Sequence, residues 1–224
     1  MKKESGDFFW EQVTQSDNVP CDRFKHASAL YDGHVYLYGG RQDCHLGDLW
    51  RYNIEHNDWE QLPSTKEAPD SLEGHSMVAH KGVLYVFGGL IDLAANQEQT
   101  PLWMYVIDTR MWYQGRSGKN KGKRPTNRKG HSAVSYQGSM YIYGGYFDIT
   151  GAVDEFWTFG FDTKTWSPVI PRTRRLGPGP RHGHTAVTHN GAMYLFGGFK
   201  HMEEQNDLWR FDFRRHNWSN VKTR

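Results

Sequence analysis

Histidine stands beside a hydroxyl three times in this chain, at Gly74-His75-Ser76, Gly130-His131-Ser132 and Gly183-His184-Thr185. An imidazole next to a hydroxyl is the pairing that nucleophilic catalysis uses. All three copies fall at matched positions of a longer repeated pattern, so the expected role is structural, each imidazole bonding near the start of a strand. Cys21, Cys44 and His45 form a second set, since thiols and imidazoles ligate zinc. Their spacing matches no metal motif, and no metal or cofactor is expected. No glycine-rich loop follows a strand and opens a helix, so nucleotide binding has no support. No residue is assigned a catalytic role.

The most distinctive unrepeated feature is basic. Between Arg116 and Lys129 the chain carries Arg116, Lys119, Lys121, Lys123, Arg124, Arg128 and Lys129 without one acid, and Arg172, Arg174 and Arg175 follow in a later loop. Lysine, arginine and glycine without interleaved aromatics make a poor stacking platform for nucleic acid. A formal net charge of +2 gives no global electrostatic reason to expect one either. An acidic or phosphorylated peptide, or a terminal carboxylate, suits the run better.

The elements that carry these residues are set by a repeat. Gly-Gly pairs at Gly39, Gly88, Gly144 and Gly197 are each followed by a Leu/Phe-Trp dipeptide (Trp50, Trp103, Trp157, Trp209) and a lone tryptophan (Trp59, Trp112, Trp166, Trp218), with equivalent positions 49 to 56 residues apart. A period near 50 residues matches a propeller blade. With 15% aromatics and 24 glycines in 224 residues, the composition suits short strands joined by tight turns. Two cysteines outside any CxxC spacing fit a reducing compartment, cytosol or nucleus. No signal-peptide core opens the chain and no stretch is long enough to cross a bilayer as a helix, so no membrane is expected.

Within the first repeat, strands are predicted over Ala27–Tyr31, Val35–Tyr38, Leu49–Asn53 and Trp59–Leu62, the first two joined by an Asp32-Gly33 hairpin turn. Lys81-Gly82, Gln137-Gly138 and Asn190-Gly191 mark the same turn later. We name the four strands A to D from the centre outward. Pro168 falls in a D strand, which agrees with an edge, because proline cannot donate to a ladder. The expected architecture is an all-β propeller of four four-stranded blades, at about residues 24–63, 74–114, 129–170 and 182–222.

Over nearly its whole length the chain resembles the kelch-repeat family. The likeness rests on the Gly-Gly pairs, the Leu/Phe-Trp dipeptides with Tyr52, Tyr105, Phe159 and Phe211 downstream, the closing tryptophans and the Gly-His-Ser/Thr triplets. The chain departs from the pattern in the second repeat, where Pro101 replaces the acid found as Asp48, Glu155 and Asp207, and where Trp112-Tyr113-Gln114-Gly115 reads as a poor D strand. Segment 8–14 reads as an extra outer strand with no vacancy to fill. Since kelch rings usually have six or seven blades, the expectation is an incomplete ring from a truncated form that self-associates through its open blade flanks.

Strand alternation puts the B-C and D-A loops on one face, where binding on a rigid scaffold resides. The resemblance implies that kelch proteins recognise peptides there, with residues just after Gly-Gly and just before strand A. Carried over, the first set is Arg41, Leu90, Tyr146 and Phe199 and the second includes Lys25, Glu73, Lys129 and His182; of these, Arg41, Tyr146, Phe199, Lys25, Lys129 and His182 are expected to bind, with Lys121, Lys123 and Arg124 of the basic run added. Arg23, Arg128 and Arg181 recur in register, which marks them as structural bonds between blades. Some kelch-type specifier proteins hold iron with a Glu, Asp and His spaced by fours, and Glu203 and Asp207 keep that spacing, but Phe211 removes the third ligand. The function expected is recognition of a short acidic or C-terminal peptide, with a substrate-adaptor role for a ubiquitin ligase as a family-level extension. Rival readings are a propeller enzyme acting on a sugar and a cytoskeletal or assembly scaffold.

Overall fold

Alternating small or apolar residues bounded by two-residue turns fold as the period-2 pattern dictates. The computed structural model describes residues 10–14, 18–92, 96, 98–115, 123–173 and 176–222. Blade 1 comprises β1 (Ala27–Tyr31), β2 (His34–Tyr38), β3 (Leu49–Asn53) and β4 (Asp58–Leu62), and blade 2 comprises β5 (Ser76–His80), β6 (Val83–Phe87), β7 (Leu102–Val106) and β8 (Met111–Gln114). Blade 3 contains β9 (Ser132–Tyr136), β10 (Ser139–Tyr143), the ribbon β11 (Tyr146–Phe147) and β12 (Gly151–Ala152), then β13 (Phe156–Gly160) and β14 (Thr165–Pro168). Blade 4 repeats that order as β15 (Thr185–His189), β16 (Ala192–Phe196), the ribbon β17 (Phe199–Lys200) and β18 (Glu203–Glu204), β19 (Leu208–Asp212) and β20 (Asn217–Val221).

Every blade is an antiparallel four-stranded sheet in sequence order, and each A-B turn has both central residues at positive φ, as with Asp32 (46°) and Gly33 (71°). That is the hairpin geometry whose twist matches the flanking strands. Pro168 lies in the outermost strand β14 and faces Trp157 in the ladder. The innermost strands β1, β5, β9 and β15 contact one another in succession and line the axis.

Blade-to-blade packing is apolar and repeats three times. Tyr36, Tyr38 and Leu49 of blade 1 meet Leu84, Val86 and Trp112 of blade 2. Tyr85, Phe87 and Leu102 meet Met140, Ile142 and Trp157 in the next interface, and Val134, Tyr143 and Phe156 meet Met193, Leu195 and Phe211 in the last. Among the described residues no such cluster joins blade 4 back to blade 1.

Two expectations are corrected. Over its described part, 10–14, the segment expected as an outer strand makes none, and Trp10 is fully exposed at 102%. The reason is that every blade already has its own fourth strand. Thr14 instead accepts one hydrogen bond, from Asn57 Nδ2 at 2.8 Å, beside the first blade. Conversely, the segment expected to be a poor D strand forms β8 in register with β7, because Trp112, 1% exposed, fills the first interface and anchors it.

Candidate functional site

The loop face is built on glycines that let neighbouring loops approach. Gly89 has φ near 80°, and a Cβ there would sit 2.6 Å from the Cβ of His75. Its N–H donates to the Arg128 carbonyl of the next blade at 3.0 Å, as Gly40 donates to Leu72 (2.8 Å) and Gly145 to Arg181 (2.9 Å). Within blades 1, 3 and 4, the residue after Gly-Gly exchanges backbone bonds with the residue entering the A strand: Arg41 with Phe24, Tyr146 with Lys129, and Phe199 with His182. Both classes of loop residue therefore stand on one hydrogen-bonded base.

A buried brace fixes that base. Arg181 donates to Asp207 at 2.7 and 2.9 Å and to the Gly197 carbonyl at 2.8 Å, while Trp209 Nε1 donates to the same carboxylate at 2.6 Å. Arg23, Asp48 and Trp50 repeat the arrangement in blade 1, and Arg128, Glu155 and Trp157 in blade 3. Burial alone would raise the Asp48, Glu155 and Asp207 carboxyls, but hydrogen bonds from the paired arginine and tryptophan outweigh it and hold them below their usual range. The guanidinium groups of the recurring arginines thus bond within a blade rather than between blades, while their main chain crosses to the neighbour, through the Arg128 and Arg181 carbonyls and the Arg181 N–H, which donates to Val153 at 3.2 Å. Blade 2 has replaced both partners of the ion pair at once, with Leu72 (0% exposed) at the arginine position and buried Pro101 at the acid.

The three repeated histidines are buried, and each is committed to a hydrogen bond with the preceding blade. His75 Nε2 donates to the Tyr38 carbonyl at 3.1 Å, and His131 and His184 share hydrogen bonds with Ser76 and Ser132 of the preceding blades at 2.8 and 2.9 Å. Burial pushes His75 and His184 down to about 3 and His131 well below its ordinary value, so all three are neutral. The hydroxyl that His131 and His184 each meet is not the adjacent one in sequence but one a whole blade away.

Of the residues expected to bind, three come together. The Tyr146 and His182 rings meet edge to face with centroids 5.2 Å apart, and His182 stacks on Phe199 at 5.7 Å. They line a cleft of about 710 Å³ between the two ribbons, with Ala152, Pro180 and Met202. Met202 is 96% exposed at the β17–β18 tip, where His201 and Met202 both adopt positive φ (52° and 65°). Burial lowers the His182 imidazole below its usual range. The ribbons and Met202 were not foreseen, since two-residue strands are too short to show a period.

The cations are arranged otherwise than expected. Lys129 donates to Glu73 at 2.8 Å, Lys25 lies 3.5 Å from the same oxygen, and His45 is 3.4 Å from the other. Glu73 is 5% exposed; burial alone would raise its carboxyl, but Lys129 first, then Lys25 and His45, hold it low. Lys25 is also displaced from its expected place: the residue equivalent to Lys129 and His182 is Phe24, and Lys25, with φ 57°, occupies the position of Gly74, Gly130 and Gly183. Arg41, Lys123 and Arg124 are exposed on the loop face, and Lys121 lies outside the described residues. Among the described residues no group of three or more His, Cys, Asp or Glu converges as a metal site.

The kelch-repeats domain described as KLHDC2/KLHL20/DRC7 matches residues 4–89 and 74–224. The leucine-zipper-like transcriptional regulator 1 homolog of Drosophila melanogaster is 26% identical over 211 residues, covering 91% of this chain and 21% of that protein. Leucine-zipper-like transcriptional regulator 1 of Homo sapiens is 29% identical over 218 residues (91% of this chain, 25% of that protein). Kelch domain-containing protein 3 of Rattus norvegicus is 27% identical over 227 residues (93% and 56%). The chain spans between about a fifth and somewhat over half the length of these relatives.

Proposed function

The chain belongs to the kelch-repeat propeller family, and from that premise we propose that its loop face takes a short peptide segment of a partner protein, one that is acidic or ends in a free carboxylate. One observation carries the proposal: the Tyr146–His182–Phe199 row lines a cleft of about 710 Å³ on the face that the hydrogen-bonded loops hold rigid. Rigid aromatics in a concave patch are the usual anchors of an interface. Exposed Arg41, Lys123 and Arg124 on the same face supply the charge that an acidic segment would meet. Lys25 and Lys129 serve the site indirectly, since Glu73 already engages both. A substrate adaptor for a ubiquitin ligase would hold its substrate on this face. The free, exposed Cys21 and Cys44 fit a reducing compartment such as cytosol or nucleus.

The test is anisotropy with labelled acidic peptides carrying free or amidated C-termini. Tyr146→Ala and Phe199→Ala are each expected to weaken binding by about tenfold or more through faster dissociation. Reversing Lys123 and Arg124 to Glu should mainly slow association and flatten its salt dependence. Binding that is indifferent to all four substitutions would move the site to another face.

A further inference from the structure

Blade 2 has Leu72 and Pro101 where the other blades have an ion pair, and this leaves a donor without its partner. In those blades the indole Nε1–H of Trp50, Trp157 and Trp209 donates to Asp48, Glu155 and Asp207 at 2.6, 2.8 and 2.6 Å. Trp103 holds the same position, 8% exposed, with Pro101 in place of the carboxylate. Among the described residues its Nε1–H meets no acceptor. A buried donor left unpaired is costly, and a ligand that brings an acceptor removes that cost.

Trp103 lines a cleft of about 700 Å³ that shares no lining residue with the Tyr146–His182–Phe199 row. Its walls are the D-A loop entering blade 2 and the B-C loop of that blade, with Tyr113 of β8 beside them. Both walls are held. Tyr38 Oη donates to the Pro69 carbonyl at 2.7 Å, and the Asp70 carbonyl packs so close to Gly47 that a Cβ there would lie 1.7 Å away. Opposite, Leu90 and the fully buried Asn127 exchange hydrogen bonds at 3.1 and 3.3 Å, and Lys129 Nζ donates to the Ile91 carbonyl at 3.3 Å. A cleft held in this way needs little ordering when it is filled. Its charge is negative, with Glu67, Asp70 and Asp92 against Lys66. Glu67 and Asp70 are exposed, and among the described residues neither has an ion-pair partner.

We propose that this cleft is a second binding site, which takes a basic segment of a partner protein. The unpaired indole asks for a neutral acceptor, because an anionic one would meet Glu67 and Asp70; a main-chain carbonyl is such an acceptor. The carboxylates ask for a cation, and the half-exposed Tyr113 ring offers the surface over which a lysine or arginine side chain lies. A peptide with a basic residue carries carbonyl and cation together, so it answers both demands. The site is independent of the acidic-peptide cleft between the two ribbons and would stand without it.

The full chain is titrated with a labelled, amidated Gly-Arg repeat peptide, followed by anisotropy and by the proton–nitrogen indole resonances, the Trp103 signal being assigned by its loss in Trp103→Phe. Binding is expected to shift that signal. Glu67→Lys with Asp70→Lys, both exposed loop positions, should weaken binding by about tenfold or more and flatten its salt dependence. Glu55→Lys with Asp108→Lys, which reverses exposed acids on the opposite face, should change it by less than about twofold. Trp103→Phe keeps a ring and loses only the donor, so with unchanged circular dichroism it should weaken binding about fivefold. No binding, a Trp103 signal that stays in place at saturation, or equal losses from the two charge reversals would overturn the site. Arginine amide binding as tightly as the peptide would overturn the protein segment as occupant.

Discussion

Lys25 holds the left-handed conformation that glycine holds in the other three blades, with φ 57° against 65°, 65° and 67°. A side chain there costs about 1–2 kcal/mol, offset in part by the entropy that glycine loses on folding. Lys25→Gly is therefore expected to stabilise the fold by up to about 1 kcal/mol, read as a higher urea midpoint; a loss would mean that its place beside Glu73 matters more. Arg181 and Asp207 present the opposite case. Removing the carboxylate by Asp207→Ala leaves a buried guanidinium uncompensated and should cost about 3–5 kcal/mol. Blade 2 lacks both partners and still folds, so Arg181→Leu added to Asp207→Ala should recover part of the loss in a double-mutant cycle. The buried histidines set the acid response. His75 and His184 stay neutral in the folded state down to about 3 but take up a proton near 6.5 when unfolded. Between those values the unfolded chain binds the extra protons, so stability falls on acidification by roughly 1.4 kcal/mol per pH unit for each. His131 acts in the same direction, and the depressed Asp48, Glu155 and Asp207 carboxyls add to the loss below about pH 4. A urea midpoint unchanged between about pH 7.5 and pH 5 would contradict this.

At the scale of the strand, burial separates tryptophans that look alike in sequence. Trp50, Trp103 and Trp157 are 6%, 8% and 8% exposed, and Trp157 sits in the interface between blades 2 and 3. Trp157→Ala should cost about 3–5 kcal/mol in thermal unfolding, whereas Trp10→Ala, at a fully exposed position, should stay within about 0.5 kcal/mol. The strands themselves were legible: Ala27–Tyr31 and Leu49–Asn53 form as the alternation dictates, and all four Xaa-Gly turns adopt the hairpin geometry. The ribbons β11–β12 and β17–β18 were not, because their registers rest on two residue pairs each and on a His201-Met202 turn without glycine. β8 was undervalued for a related reason: propensity weighs Tyr113-Gln114-Gly115 locally, while the strand is held by the burial of Trp112 against another blade.

Over the whole molecule, stability is distributed as in any array whose units contact only their neighbours. Among the described residues blades 2 and 3 are packed on both flanks and blades 1 and 4 on one each, so amide exchange should be slowest in β6 and β10. Equal protection in all four blades would show that the ends are covered as well. What the sequence determined alone is whatever repeats: the blade count, the strand order, the loop-bearing face and the structural status of the histidines, because recurrence at a fixed period reports a local pattern that every copy must satisfy. What only the tertiary structure decided is what depends on which loops meet. In sequence Tyr146, His182 and Phe199 stand on separate loops and Lys25 and Lys129 read as open cations; packing stacked the three rings into one cleft and turned both lysines onto Glu73. Those contacts join residues tens of positions apart, and their geometry follows from blade packing about the axis, which no local period encodes.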